Sequence, residues 1–208
     1  MKISKHLHSC FLIEEQGKTF LLDPGIFTYQ EKALDIPNIE KLDYILITHE
    51  HPDHMYLPLI QELLNKFPYV KIITNPAIVE MLAKENINAT YEEDPFVKVE
   101  KVPHEKLWDS EPPENVSLTI FGRLLSPGDS LHFTNSAEIL ALPLAAPWES
   151  VTDAVNTALK LMPKVIIPAH DWMWRDEFRK GMYVRLKEFF QTKGIDFKMM
   201  ETGEQITI

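Results

Sequence analysis

The chain has 208 residues, a length that suits one large compact domain better than two small ones. A hydrophobic fraction of 45% with 25% charged residues is typical of a globular protein that buries a sizeable core. The net charge of −10 argues against long nucleic acids as partners, because binding a phosphate backbone requires several cationic contacts. We therefore expect a single domain over residues 1–208 that acts on a small-molecule substrate.

The sequence also predicts the location of the protein in the cell. No apolar run approaches the roughly 18 residues that span a bilayer, and the N-terminus carries no signal-peptide pattern. We expect no membrane span and a cytoplasmic location. The only cysteine, Cys10, excludes an intrachain disulfide, and its apolar neighbours predict a buried thiol rather than a nucleophile. Composition does not determine the oligomeric state, so a homo-oligomer stays open.

The first part of the chain alternates strand and helix signals. Short segments rich in Ile, Leu, Val and Phe predict the strands Cys10–Glu14, Thr19–Asp23, Tyr44–Thr48 and Val70–Thr74. Gln16-Gly17-Lys18 predicts a hairpin turn between the first two strands. Apolar residues at helical spacing predict one helix from Leu57 to Phe67, closed by Pro68, and a second that opens at Pro76.

The second part is predicted to begin with a loop over Glu92–Asn115, which carries prolines and charges. Ser150 and Asp153 resemble a capping box, and the apolar stripe behind them predicts a helix over Ser150–Met162. A last helix is predicted over Asp176–Thr192. The remaining predicted strands are Val116–Phe121, Arg123–Ser126, Glu138–Leu142 and Val165–Ile167. Strands with peripheral helices favour an α/β fold, or α+β by some schemes.

The most informative feature is the run Thr48-His49-Glu50-His51-Pro52-Asp53-His54, directly after a predicted strand. A strand-to-helix loop exposes side chains while the core holds its ends. Three imidazoles and one carboxylate this close would be poorly satisfied in a core, and protonated histidines would repel one another. A divalent cation resolves both problems, because neutral imidazole and carboxylate are good ligands for zinc, manganese and iron. The candidate metal ligands of this run are His49, His51, Asp53 and His54.

This run resembles the central His-x-His-x-Asp-His motif of the metallo-β-lactamase superfamily. Further motifs follow in the family's order: Asp23 in Leu-Asp-Pro-Gly, His104 in Val-Pro-His-Glu, Asp129 in Pro-Gly-Asp-Ser and His170 in Pro-Ala-His. Taken alone, Asp23 and Asp129 lie in ordinary turn sequences, and His104 lies in a segment that is usually solvated. The ordered set, which extends from about residue 3 to about residue 175, makes the resemblance specific.

The resemblance implies a four-layer αβ/βα sandwich with the site in loops at one edge. The implied ligands are His49, His51 and His104 for one divalent ion, Asp53, His54 and His170 for the other, and Asp129 as the bridge. Asp53 is also the implied catalytic residue, which orients the attacking hydroxide or accepts its proton, and Asp23 is a supporting residue. Zinc is the metal we expect first, with manganese and iron as alternatives.

Within the superfamily, the chain is most similar to the short branch of metal-dependent hydrolases that includes L-ascorbate-6-phosphate lactonase. In that branch a Gly-His-(Ala/Ser)-x-Phe segment precedes the Asp-Pro turn. Here Leu7 replaces the glycine, so the supporting role of His8 is open between a structural position and the edge of the site. His51 stands where diiron members use glutamate, and Glu50 is expected to point away from the metals, which disfavours redox chemistry.

The predicted function is hydrolysis of a small ester or lactone, with or without a phosphate group, by a hydroxide that two metal ions activate. A phosphodiesterase acting on a small nucleotide or lipid headgroup is the alternative enzyme. A non-catalytic metal-binding scaffold is the alternative of another class, and the presence of every expected ligand argues against it. Near His170, three tryptophans either line the site or belong to the core: Trp148, Trp172 and Trp174. Asp171 is suggested as a partner that hydrogen-bonds a metal histidine.

Overall fold

The computed structural model describes residues 1–208. The chain divides into two compact units, each built on one six-stranded sheet. The first unit comprises Met1–Glu93 and Glu201–Ile208, and the second unit comprises Asp94–Met200. Helices accompany a mixed sheet in both units, so the predicted α/β class is confirmed. The expectation of a single domain over 1–208 stays a prediction.

The first unit contains six strands and three α-helices. The strands are β1 (Lys2–Lys5), β2 (Phe11–Glu15), β3 (Lys18–Leu22), β4 (Tyr44–Leu46), β5 (Lys71–Ile73) and β12 (Gln205–Thr207). The helices are α1 (Ile26–Gln30), α2 (Leu57–Lys66) and α3 (Pro76–Lys84), with a 3₁₀ turn at Ile36–Asn38. The sheet order is β12-β1-β2-β3-β4-β5. Every strand and helix predicted for this part is present, with small shifts in the bounds.

Strand direction brings candidate site residues of the first unit to one edge of its sheet. β2 is antiparallel to both β1 and β3, while β3, β4 and β5 are parallel to one another. β1, β3, β4 and β5 therefore run the same way, and the residues that follow them lie at one sheet edge. His8 lies beyond the end of β1, Asp23 directly follows β3, and His49 comes shortly after β4.

The second unit contains six strands and two α-helices. The strands are β6 (Val97–Pro103), β7 (Glu114–Ile120), β8 (Leu124–Ser126), β9 (Ile139–Pro143), β10 (Val165–Ala169) and β11 (Asp196–Phe197). The helices are α4 (Val151–Leu161) and α5 (Asp176–Gln191). The sheet order is β11-β10-β9-β8-β7-β6.

The same rule of direction applies in the second unit. β7 is antiparallel to β6 and β8, while β8, β9 and β10 are parallel. β6, β8, β9 and β10 therefore run the same way. His104 directly follows β6, Asp129 comes shortly after β8, and His170 directly follows β10. The three candidate ligands of this unit thus lie at one edge of its sheet.

Local sequence signals explain several element ends. Gln16 and Gly17 form the turn between β2 and β3 with φ values of 47° and 75°, and two positive values are typical of a type I′ hairpin turn. Ser150 and Asp153 form the predicted capping box of α4: the Asp153 N–H donates to Ser150 Oγ at 3.3 Å, and the Ser150 N–H donates to the Asp153 carboxylate at 3.2 Å. Asn75 caps α3 with its side-chain oxygen. Each such cap stabilises the protein by about 1 kcal/mol.

One prediction was wrong, because Glu92–Asn115 is not a continuous loop. The segment contains all of β6 and the start of β7. β6 lies at the edge of its sheet and pairs with β7 alone, so its outward side chains meet solvent. Val97 and Val102 are buried, whereas Lys98 and Lys101 are exposed. Charges are typical of an edge strand because they disfavour pairing with another chain, and here they concealed the strand in the sequence.

Each unit has its own hydrophobic core. Ile45 and Ile60 are fully buried in the core of the first unit, and Ile166 and Phe190 are fully buried in that of the second. These cores hold the strand ends from which the candidate ligands project. None of the helices combines the length and the apolar character needed to cross a membrane.

Cys10 belongs to the core of the first unit, as predicted. Its side chain is 1% exposed, and burial raises the pKa of the thiol to about 12. A thiol with this pKa carries almost no thiolate at neutral pH, and the thiolate is the nucleophilic form. Cys10 is therefore a packing residue.

We expect Cys10 to resist alkylation by iodoacetamide in the native protein at neutral pH and to react fully after denaturation in urea. The physical reason is the combination of burial and a raised thiol pKa. Mass spectrometry of the intact chain measures the alkylated fraction. Rapid alkylation of the native protein would contradict a buried, protonated thiol.

Candidate metal centre

The loop from His49 to His54 gathers its imidazoles within the first unit. The ring centroids of His49 and His54 are 4.1 Å apart, and those of His49 and His51 are 4.8 Å apart. His49 and His54 are buried, while His51 and Asp53 are partly exposed. Glu50 is exposed, so it lies at the surface between two clustered histidines. The candidate ligands of the motif therefore lie together.

Asp23 holds this loop through both of its carboxylate oxygens. The residue is completely buried. Oδ1 accepts the Thr48 backbone N–H at 2.9 Å, and Oδ2 accepts the Thr48 hydroxyl at 3.0 Å and the His54 Nδ1–H at 2.9 Å. Burial raises the pKa of the Asp23 carboxyl, and the contacts with His54 and Thr48 act in the opposite direction. Asp23 thus orients the His54 ring.

Thr48 extends the same network to His49. The Thr48 hydroxyl proton goes to Asp23, so the hydroxyl oxygen accepts the His49 Nδ1–H at 3.0 Å. A proton on Nδ1 leaves the lone pair of a neutral imidazole on Nε2. His49 and His54 therefore both offer Nε2 as the ligand atom. Asn75, the cap of α3, donates to the Thr48 carbonyl at 3.2 Å and fixes this residue from the next strand end.

His8 lies beside Asp53. The His8 Nε2–H donates to Asp53 Oδ2 at 3.1 Å, and the same oxygen is 3.8 Å from His54 Nε2. The potential ligand atoms of His8, Asp53 and His54 all lie within 4.8 Å of one another. His8 therefore contacts a candidate ligand, and its supporting role stays a prediction.

Leu7 has a backbone conformation that favours glycine. Leu7 has a φ of 86°, in the left-handed region that glycine adopts without strain. His8 itself has a φ of 55°. Leu7 adopts this conformation at a cost in backbone strain. The His8 side chain contacts Asp53.

Gly25 packs directly against the backbone of Asp53. A Cβ added at Gly25 would lie 1.7 Å from the Asp53 carbonyl oxygen. The neighbouring Ile26 N–H donates to the Pro52 carbonyl at 2.7 Å, which joins the two segments. The turn that contains Gly25 therefore sets the position of Asp53.

In the second unit, Asp129 lies between two histidines. Asp129 Oδ2 is 3.5 Å from His104 Nε2 and 3.3 Å from His170 Nε2. All three residues are buried. One carboxylate oxygen thus faces both imidazoles of this unit.

Backbone carbonyls set the tautomers of the two histidines in the second unit. The His104 Nδ1–H donates to the Glu105 carbonyl at 2.5 Å, and the His170 Nδ1–H donates to the Ala145 carbonyl at 2.7 Å. A carbonyl oxygen can only accept, so the proton must be on Nδ1. In the neutral ring, Nε2 then carries the lone pair, on the side that faces Asp129.

These donor groups fit a divalent metal ion. Four histidines combine an Nδ1–H held by an oxygen with an Nε2 lone pair, the arrangement of metal-ligating histidines. They are His49, His54, His104 and His170. The Asp53 and Asp129 carboxylates add oxygen donors. Nitrogen and oxygen donors together suit zinc, manganese and iron without selecting one of them.

The tryptophans near His170 occupy different surroundings. The Trp148 ring centroid is 6.3 Å from that of His104 and 5.6 Å from that of His170. Trp174 instead packs against the hydrophobic core of the second unit and against Phe178. Trp148 therefore contacts candidate ligands of its own unit.

The motifs predicted no role for Thr48 or Gly25, although both lie inside quoted motifs. Their contacts depend on β3 and β4 lying side by side, and motif spacing does not show strand order. Asp171 was the suggested partner of a metal histidine. Its carboxylate accepts a hydrogen bond from the Tyr183 hydroxyl.

Comparison with known proteins identifies the family. The sequence profile described as "Beta-lactamase superfamily domain" matches residues 2–170, a range that includes every candidate ligand. The chain is 29% identical to Protein Rv0786c of Mycobacterium tuberculosis, with 100% of both chains covered. Over 90 residues it is 39% identical to a UPF0173 metal-dependent hydrolase of Flavobacterium johnsoniae, which covers 43% of this chain and 38% of the relative.

Solved structures show the same fold. Igni18, a metallo hydrolase from Ignicoccus hospitalis, is similar with a TM-score of 0.76 at 18% identity, covering 100% of this chain and 97% of that one. The metallo-β-lactamase fold protein YhfI from Bacillus subtilis is similar with a TM-score of 0.68 at 15% identity, covering 99% and 98%. At these identities the similarity concerns the fold alone.

Fold, site and relatives together define a metal-dependent hydrolase with the metallo-β-lactamase fold, and the predicted fold class is confirmed. The chain belongs to the β-lactamase superfamily, whose sequence profile matches most of its length.

Gly25→Ala should destabilise the protein by about 1–3 kcal/mol and lower its metal content, because the new methyl group would displace the Asp53 backbone. Urea denaturation and metal analysis of the purified variant measure the two effects. Gly181→Ala is the matched control, since an added Cβ there meets nothing within 4 Å and the site lies in an exposed part of α5. That control should be stabilised by about 0.5–1 kcal/mol. Equal behaviour of the two variants would contradict the packing of Gly25 against Asp53.

Asp23→Asn should weaken metal binding by about 10- to 100-fold, because the amide no longer gives His54 a charged acceptor for its Nδ1–H. Competition with a fluorescent chelator measures the metal affinity. Asp35→Asn is the control, since Asp35 is exposed in the same unit. An unchanged affinity in Asp23→Asn would show that the orientation of His54 does not depend on this carboxylate.

Proposed function

We propose that this protein hydrolyses a small ester or lactone, with or without a phosphate group, by means of two divalent metal ions. The proposed ligands are His49, His51 and His104 for one ion, Asp53, His54 and His170 for the other, and Asp129 as the bridge. Membership of the β-lactamase superfamily supports this set, because the family profile spans all of these positions. Zinc is the first candidate metal, with manganese and iron as alternatives.

The observation that carries the proposal is the protonation pattern of the four histidines described above. Each Nδ1–H is donated to an oxygen, so each Nε2 is available as a donor atom for a metal. Bound divalent ions supply Lewis acidity at the scissile carbonyl and lower the pKa of a coordinated water towards about 7. The protein needs no serine or cysteine nucleophile for this chemistry, and Cys10 is buried with a raised pKa.

Asp53 is the proposed catalytic residue. Its carboxylate is partly exposed, so water reaches it, and the His8 Nε2–H holds its Oδ2 at 3.1 Å. A carboxylate held in this way orients the attacking water and accepts its proton. His8 then acts as a positioning residue through Asp53.

The proposed substrate class rests on the resemblance to the short branch that includes L-ascorbate-6-phosphate lactonase. The His51 position supports hydrolysis over redox chemistry, since diiron members of the superfamily use glutamate there. Small substrates also agree with the acidic composition of the chain, which carries a net charge of −10.

Asp53→Ala should lower kcat/KM by about 100- to 10,000-fold, the usual contribution of a positioned acid–base group, while the fold survives. Steady-state hydrolysis measures kcat/KM, circular dichroism tests whether the fold survives, and metal analysis measures the metal content. Glu50→Ala is the matched control, because Glu50 lies in the same loop and is exposed. Wild-type turnover in Asp53→Ala with its metal content intact would refute the assignment.

A panel of lactones, esters, thioesters and phosphodiesters, tested on the metal-loaded protein, identifies the bond that is hydrolysed. Turnover of lactones or esters is the expected result. Turnover confined to phosphodiesters would replace the proposed bond, and tight metal binding without any turnover would favour a non-catalytic scaffold.

A further inference from the structure

The turn from Ala145 to Glu149 lies beside the candidate ligands of the second unit. Ala145 is joined to His170 twice, since its carbonyl accepts the His170 Nδ1–H at 2.7 Å and its N–H donates to the His170 carbonyl at 3.0 Å. The Glu149 N–H donates to the Ala146 carbonyl at 3.3 Å and closes the turn. Trp148 and Glu149 are therefore carried by the same backbone that orients His170.

Glu149 is a half-buried residue whose carboxyl group has no hydrogen-bond partner in the fold. Both of its carboxyl oxygens are buried and make no hydrogen bond. Burial raises the pKa of Glu149 to about 9; His170 acts to lower it, and Asp129 and Glu105 act to raise it. An unsatisfied buried polar group destabilises a fold, and an apolar side chain of similar size would not. Folding alone therefore gives no reason for a glutamate at this position.

We propose that Glu149 is a specificity residue that accepts a hydrogen bond from a hydroxyl or amide group of the substrate, with Trp148 as the apolar wall beside it. The proposal rests on the hydrolase function proposed above and narrows its substrate class. A hydroxyl or amide donor suits Glu149 in either protonation state, because a protonated carboxyl group retains its carbonyl acceptor.

The groups that act on the Glu149 pKa are mostly acidic: Asp129, Glu105 and Asp153 raise it, and His170 acts to lower it. Asp129 and His170 belong to the proposed metal ligands, so the charge at this point depends on the bound ions. The proposed substrate is an ester or lactone with a hydroxyl or amide group outside the scissile bond.

The first experiment measures how much Glu149 changes the thermal stability of the metal-loaded full chain. Glu149→Leu removes the unsatisfied carboxyl and should raise Tm by about 2–4 °C with the metal content unchanged. Glu188→Leu, at an exposed position of α5, is the matched control and should shift Tm by less than about 1–2 °C. A lower Tm in Glu149→Leu would assign Glu149 to stability, and a loss of metal would assign it to metal binding. Either result would overturn the proposal.

The second experiment compares γ-butyrolactone with 3-hydroxy-γ-butyrolactone by isothermal titration and by steady-state hydrolysis. The wild type should bind the hydroxylated lactone about fivefold more tightly, as one additional hydrogen bond predicts, with the difference in KM rather than in kcat. Glu149→Leu should lose this preference, and Glu149→Gln, which keeps an acceptor, should retain most of it.

Different results would contradict the role of Glu149 and the proposed hydrolase function. The proposed role of Glu149 is wrong if the wild type and Glu149→Leu show the same preference between the two lactones. It is also wrong if neither protein binds either lactone. Binding of the hydroxylated lactone without hydrolysis would contradict the proposed function, while the titration would still measure the contribution of Glu149.

Discussion

The geometry of the first unit depends on one buried carboxylate, that of Asp23. Parallel pairing of β3 and β4 places Asp23 beside Thr48, and hydrogen bonds from Thr48 and His54 satisfy both oxygens. A carboxylate buried without such partners would be strongly destabilising. The contacts that satisfy Asp23 also orient His54 directly and His49 through the Thr48 hydroxyl. The stability of the strand pair and the geometry of the histidine loop are therefore coupled.

The second unit orients its histidines with uncharged groups. His104 and His170 donate to backbone carbonyls, whereas His54 donates to the Asp23 carboxylate. A carboxylate partner makes an imidazole more basic than a carbonyl does, because it stabilises positive charge on the ring. His54 is therefore a stronger electron-pair donor than His170. A carbonyl partner has a different advantage, since its position follows from the sheet and its acceptor character does not change with pH.

The sequence marks the candidate ligands more clearly than it marks the path of the chain that leads to them. The His49–His54 run was recognisable because its ligands are close in sequence and one strand presents them all. His104 was harder to place, because the charged edge strand β6 that leads to it resembles a loop. Asp23 was visible as a motif, but its hydrogen bonds with Thr48 and His54 follow from strand order, which spacing does not encode. Glu149 carried no signal at all, because its distinguishing feature is the absence of a partner in the fold.

Several residues at the candidate site have a strained backbone, which destabilises the fold as the unsatisfied carboxyl group of Glu149 does. Leu7, His8, Asp23 and His170 have φ values of 86°, 55°, 45° and 54°, in a region that costs a residue other than glycine about 1–3 kcal/mol. Asp23 and His170 adopt it directly after a strand, where a positive φ turns the chain away from the strand direction. The side chain then projects at the sheet edge, where Asp23 contacts His54 and His170 lies beside Asp129. At His8, Asp23 and His170, as at Glu149, the proposed roles in binding account for the residue that is present despite this cost.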